Sequence, residues 1–294
     1  MAERSSAVAT VLARQIFNVQ ATIDGKPNKK QDDARRVNIM TSGSFPADPG
    51  RRRVILVLRE HDIERCGYEP EAAQALLDDE IFVLKAPLEA ARGAAPALKN
   101  IEAAGLARPG SILVQSPYDS NIYEDVESAP QRFALAKHMH FSNLCRHLGA
   151  KEVRVEQIDV KSSDRKSWIN VKAKTRGSTA QGSIEAEELE EFRSQMSLVD
   201  RFEGAGTDIE SAEKLLQRTG LLSDQYMRDL LEMRRDGSNH LLSRTLKLNL
   251  SSESSRNLSA VGRLTVPTFI DVSAEYKRIV QERHEYIATV FVSF

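Results

Sequence analysis

Three short apolar runs constrain this chain more than any other feature. Val54 to Leu58, Ile81 to Leu84 and Ile112 to Val114 carry no polar residue. An unbroken apolar run of strand length is the pattern of a strand covered on both faces. A helical pattern with Ala72, Ala73 and Leu76 lies between the first two runs. An alanine-rich, helix-favouring stretch from Pro87 to Ala104 lies between the second and third, closed by Gly105 and Pro109-Gly110. Strands alternating with helices predict a small layered α/β unit. Pro130 then opens a helix to Leu148, with Gly149 as its left-handed cap. Phe133, Phe141, Leu144 and Leu148 share one side of that helix, while Leu135 and Met139 lie on another. Apolar residues on more than one side predict a central, buried helix.

The second half has a different pattern. Val153 and Val155 alternate with charges, as do Ile169, Val171 and Ala173, across a polar turn at Ser162 to Arg165. That predicts a hairpin. A helix is expected from about Ile184 to Phe202. Another begins at Thr207, where Glu210 completes a capping box, and runs through Leu215 and Leu216 to Gly220. A third, from about Ser223 to Arg235, would bury Tyr226, Leu230 and Met233. Alternation at Leu246, Leu248 and Leu250, and again at Leu258, Ala260, Leu264 and Val266, predicts a second hairpin over about Ser243 to Pro267. A short helix from Ser273 to Glu285 and a last strand from Ile287 to Phe294 follow.

The expected fold class is therefore α+β: an N-terminal α/β portion with three short buried strands, and a C-terminal portion of antiparallel hairpins packed with helices. The expected divisions are an N-terminal helix and arm over 1–50, the α/β portion over 51–150 and the hairpin-and-helix portion over 151–294. In the arm, Val8, Leu12 and Ile16 suit a short amphipathic helix, and Asp24 to Asp33 reads as an exposed loop. Arg51, Arg52 and Arg53 read as a solvated strand edge.

Composition narrows the function classes. Lys plus Arg is 41 against 42 Asp plus Glu, so the formal charge is −1. A dedicated nucleic-acid binder usually shows a basic excess, and no nucleic-acid partner is expected. Cys66 and Cys145 cannot form a disulfide framework or a cysteine-rich zinc site; two reduced thiols fit the cytoplasm. No stretch approaches the roughly 18 apolar residues that span a bilayer, and a membrane partner is not expected.

Two segments hold candidate chemistry. Lys137 to His147 contains His138, His140, His147 and Cys145. On a helix His138 faces the Cys145 side and His140 the His147 side, each pair seven residues apart, about 10.5 Å along the axis. That separation is too long for one metal ion, so no metal is expected. His140 and His147 read as hydrogen-bonded packing residues. The second segment, Pro117 to Asp125, follows the third buried strand, where ligands usually sit in α/β sheets. Tyr118, Asp119, Asn121 and Tyr123 are its candidate binding residues. Asp119, His138, His140 and Cys145 are the candidate catalytic ones. An EF-hand fails, because Tyr123 and Glu124 stand where acidic and glycine residues are required. Gly204-Ala205-Gly206-Thr207-Asp208 resembles the glycine-rich calcium loop of annexins over about 30 residues. The unit occurs once, and Ser243 stands where its acidic partner is expected, so a turn and a Thr207 cap account for the run. Phosphate-loop, dinucleotide, nucleophile-elbow and zinc-protease templates are absent, and no cofactor is expected. The first functional expectation is a non-catalytic cytosolic protein that associates with itself or a protein partner. The alternatives are an enzyme built on the 117–125 loop and the 131–148 helix, and a soluble precursor of a membrane pore former using the 243–267 hairpin.

Overall fold

The computed structural model describes residues 45–66, 78–88, 95–162, 168–172, 191–192, 194–196, 199–204, 206–236, 241–264 and 284–294. The chain divides into two compact units, 1–45 and 46–294, and everything below concerns the second. The expected N-terminal helix, the helix around Ala72, the first part of the alanine-rich stretch and the helix from Ser273 lie outside the described residues.

The fold is α+β. The first sheet contains β1 (Val54–Arg59), β2 (Ile81–Ala86), β3 (Ile112–Gln115) and β4 (Tyr123–Asp125), in the order β2-β1-β3-β4. β1 runs parallel to β2 and antiparallel to β3, so the sheet is mixed. Val54 to Leu58 are fully buried, as the unbroken run requires. Two short helices belong to this half: α1 (Glu60–Cys66) and α2 (Pro96–Ala103). In the described part of the alanine-rich stretch, Pro96 to Ala103 is helix, with Pro96 in its first turn.

The long helix α3 (Ala129–His147) crosses between the halves, and Gly149 at φ 80° reverses the chain behind it. Phe133, Phe141, Leu144 and Leu148 are buried, but Met139 is 54% exposed. The helix thus covers the core with one face and shows another to solvent, which corrects the expectation of burial on several sides.

The second sheet contains β5 (Glu152–Ser162), β6 (Trp168–Lys172), β7 (Val199–Arg201), β8 (Ser243–Asn249) and β9 (His284–Ser293). The path is β6-β5-β9-β8, with β7 also on β5, and every pairing is antiparallel. The expected hairpin of β5 and β6 forms. A register shift between Val155 and Gln157 moves the buried phase from Val153 to Ile158 and Val160. Three more helices follow: α4 (Ile209–Arg218), which packs on α3 and on α5 (Gln225–Arg235), and α6 (Ser255–Arg263), which packs on β1 and β3 of the first sheet.

Four local expectations are overturned. The helix expected through Phe202 stops before Val199, where Val199 to Arg201 pairs with Glu152 to Arg154 as β7; an open strand edge outweighs local helix preference. The cap of α4 is Asp208, which accepts the Ser211 amide at 3.0 Å, rather than Thr207. The buried residues of α5 are Met227, Leu230 and Leu231, while Tyr226 and Met233 face outward. The hairpin expected over 243–267 does not form. β8 pairs with β9 instead, and Ser255 to Arg263 is helix. Its buried residues Asn257, Ala260, Val261 and Leu264 follow helical spacing, and the serines at 251, 252, 254 and 255 make the turn that starts it. Leu246, Leu248 and Leu250 are buried in the core, so the alternation behind the pore-forming expectation is divided between a core strand and a helix.

Candidate functional site

The segment after β3 is held by a buried polar network. Gln115 ends β3, and Tyr123 begins β4 opposite it. Arg52 fills the space between them: its Nη1 donates to the Tyr123 hydroxyl and to the Ser120 carbonyl, both at 2.7 Å, and its Nε donates to the Pro46 carbonyl. The Tyr123 hydroxyl donates to the Arg52 carbonyl, and Gln115 Nε2 donates to that hydroxyl at 3.1 Å. Arg52 is therefore an interior residue. Only its charge and reach can serve several oxygens of one tight loop, so the solvated-edge reading of the arginine triplet fails there.

On that support, Asp119 turns back and accepts the Asn121 amide at 2.8 Å, an Asx turn that leaves its carboxylate exposed. Tyr123 belongs to a strand and has its hydroxyl committed to the network. Tyr118 is buried, and its ring meets the His140 ring edge-on with centroids 5.3 Å apart. The Tyr118 hydroxyl has no hydrogen-bond partner. Burial first, then the Glu253 and Asp224 carboxylates, keep it protonated far above the usual range.

Tyr118 and Asp119 line a cleft of about 980 Å³; Asn121 and Tyr123 are not part of its lining. Tyr118, Asp119, Ile122 and Glu124 form one side of it. Phe133, Ala136 and His140 come from α3, Arg218 and Gly220 from the end of α4, and Arg256 and Asn257 from the first turn of α6. Gly220, at φ 71°, brings the end of α4 close to the Pro117 carbonyl. Asn257 fixes α6 to the sheet by donating to the Gln115 carbonyl at 2.8 Å and accepting from Arg53 at 2.9 Å.

Beneath the cleft lies Lys137, fully buried. Its ammonium meets Asp224 and Glu253, each at 2.7 Å, and donates to the Ser252 hydroxyl at 2.9 Å. Asp224 also caps α5 by accepting the Met227 amide. One side chain of α3 thus pins the turns that start α5 and α6. Lys137 lies four residues from both Phe133 and Phe141, and that spacing was the signal for its burial.

The other α3 candidates lie apart from the cleft. His138 and Cys145 are buried on a face with Ser142, whose hydroxyl donates to Asp200 of β7. Neither ring nitrogen of His138 has a partner. Burial holds its pKa below the ordinary value, against the pull of Asp200. Burial, aided by Asp200, pushes the Cys145 thiol well above its normal range, so it carries no thiolate. His140 and His147 are half-buried, and the buried histidine is His138, the reverse of the sequence expectation.

Two further groups at the cleft have shifted proton affinities. Burial, then the Arg218 charge, lowers the His140 pKa. Burial raises Glu124 above the usual carboxylate range, with Arg132 pulling it down and Asp125 pushing it up. Among the described residues no three His, Cys, Asp or Glu side chains are grouped to hold a metal ion, and no helix is long and apolar enough to cross a membrane. Comparisons with protein families, curated proteins and solved structures find no match for the chain.

Proposed function

We propose that the chain acts through this cleft, binding a small polar molecule and exchanging a proton with it. The observation that supports the reading is the convergence of Tyr118, Asp119, Glu124 and His140, from two separate segments, on one cleft of small-molecule size. Lowered proton affinity leaves His140 as neutral imidazole near pH 7, with a lone pair to accept a proton. The raised affinity of Glu124 moves a carboxyl toward the pH at which it can donate one. A base shifted down and an acid shifted up within one cleft suit general acid–base catalysis. Tyr118 contributes shape rather than a base, because its hydroxyl stays protonated. The test is ligand-observed magnetic resonance with mixtures of polar metabolites. Binding compounds are expected to shift the His140 ring signals and to lose affinity in His140→Gln. Binding that is unchanged in both His140→Gln and Glu124→Gln would overturn the reading.

A second reading, self-association or a protein partner, is favoured by a separate surface. Leu222, Tyr226, Met233 and Leu242 are all exposed, Leu242 by 74%. Tyr226 and Met233 lie two turns apart on α5, Leu222 stands in the short turn before that helix, and Arg244 reaches the Met233 sulfur at 3.0 Å. Large exposed apolar side chains on and beside one helix suit an association surface. Light scattering across a concentration series tests its self-association form, with Tyr226→Asp expected to lower the mass of an oligomeric parent.

A further inference from the structure

This inference rests on the ligand-binding reading and concerns the charge of the ligand. The cleft is lined by four guanidinium groups and three carboxylates, Asp119, Glu124 and Glu253. Most of these charges are already answered. Lys137 stands 2.7 Å from both Glu253 and Asp224, so one ammonium is shared between two carboxylates, and Glu124 feels Arg132. Arg53 pairs with Glu80 at 2.9 Å. Glu80 is shared, however: Arg263 also binds it, and Arg256 stands 3.6 Å from it with 73% of its side chain exposed. One carboxylate, helped only by Asp78 on Arg263, therefore serves three guanidinium groups. Arg218 has no carboxylate within ion-pair distance among the described residues, and its charge falls on His140. Asp119 is the remaining acid; one of its oxygens accepts the Asn121 amide and the carboxylate is exposed at the rim. The least-paired positive groups of the lining are thus Arg218 and Arg256, both exposed. The floor adds a spare donor in the Tyr118 hydroxyl.

We propose that the cleft receives a small molecule through an anionic group, phosphate or carboxylate, held at Arg218 beside His140 and attracted by Arg256. Guanidinium suits either oxyanion, because its paired N–H groups match two oxygens at once. A bound anion stabilises imidazolium, so it also prepares His140 to keep a proton taken from the same ligand.

The test uses inorganic phosphate, pyrophosphate and citrate as probes at fixed ionic strength, with His140 ring signals as the readout. A panel of uncharged heterocyclic fragments is run in parallel. Saturable shifts with at least one anion are expected. They should weaken about tenfold in Arg218→Gln, the loss of one charge-assisted contact, and less in Arg256→Gln. Arg228→Gln, on the exposed side of α5, should leave them unchanged. The pH at which His140 titrates should rise when the anion is bound. Phosphate or pyrophosphate binding without citrate binding assigns a phosphate ligand, and the converse a carboxylate. Uncharged fragments that shift His140 while no anion does would overturn this inference and leave the ligand-binding reading standing. No shift with any probe would overturn both. Anion binding that survives Arg218→Gln at full strength would show nonspecific attraction and overturn the inference alone.

Discussion

Lys137 and His138 are neighbours on one helix and both are buried, yet the fold treats them in opposite ways. All three protons of the Lys137 ammonium meet oxygen, from Asp224, Glu253 and Ser252. Both nitrogens of His138 meet none. The step of about 100° between adjacent helical positions separates them. Lys137 faces the turns before α5 and α6, where the chain reverses and acidic side chains gather. His138 faces Cys145 and Ser142, and the one nearby acid, Asp200, is engaged by Ser142. Burial of a polar group is therefore not one condition. A long stem that reaches two turns becomes a junction, while a short rigid ring among apolar neighbours stays neutral and unserved.

The largest effect should come from breaking the served side. Lys137→Met leaves two carboxylates buried without their cation and should cost about 3–5 kcal/mol, read from chemical denaturation. Adding Asp224→Asn and Glu253→Gln should restore much of that loss, because the stranded charges go with them and asparagine still caps a helix. A loss under about 1 kcal/mol in the single variant would show that the triad is not holding these turns together.

The unserved side should respond with the opposite sign. His138→Phe removes two unsatisfied buried atoms while adding a somewhat larger ring, and should leave stability equal or raise it by about 1 kcal/mol. The pH dependence sharpens the contrast. The His138 pKa in the fold lies below its ordinary value of 6.5, so the unfolded chain takes up the proton first as pH falls. Stability linked to His138 is present above about pH 6.5 and is lost as pH drops below it. Denaturation midpoints between pH 7.5 and 5.5 should therefore fall less steeply in His138→Phe than in the parent, with the His140 contribution remaining.

The smallest effect is expected at Tyr118, which is buried like both residues but lacks only one bond. Tyr118→Phe should change stability by less than about 1 kcal/mol, since no existing hydrogen bond is removed. A larger loss in thermal or chemical unfolding would mean that the hydroxyl has a partner in solution.

Patterns that rest on periodicity were readable in the sequence. The three buried strands, the hairpin of β5 and β6, the long helix α3 and its Gly149 cap all follow from apolar spacing and turn residues. Where two periods fit one segment, pairing decided. Leu258 and Ala260 satisfy alternation, but Asn257, Ala260, Val261 and Leu264 satisfy a helix, and β9 had already occupied the edge of β8. Val199 to Arg201 became a strand because β5 offered an open edge, which no local pattern reveals. Of the candidate site, Tyr118, Asp119 and His140 were named from the sequence and the fold brings them to one cleft. Arg218, Arg256 and Asn257 were not named, because their place depends on how α4 and α6 pack. Arg52 was read as surface because a guanidinium at a strand edge usually is solvated, and only the Ser120 turn and the Tyr123 hydroxyl supply its interior partners.

The position of β9 governs how this fold can be reached. It lies between β5 and β8, and β5 is joined to β8 through it alone. Pairing Glu152 with Ser293 closes a loop of about 140 residues, so the central contacts of the second sheet are among the most distant in the chain. Until residues 284–293 are present, β5 can hold only β6 and β7, and the apolar face of β8 has no neighbouring strand. The first sheet needs nothing beyond Asp125 for its pairings. Assembly during synthesis is thus ordered in time, with an early half that can pair as it emerges and a late half that must wait for β9.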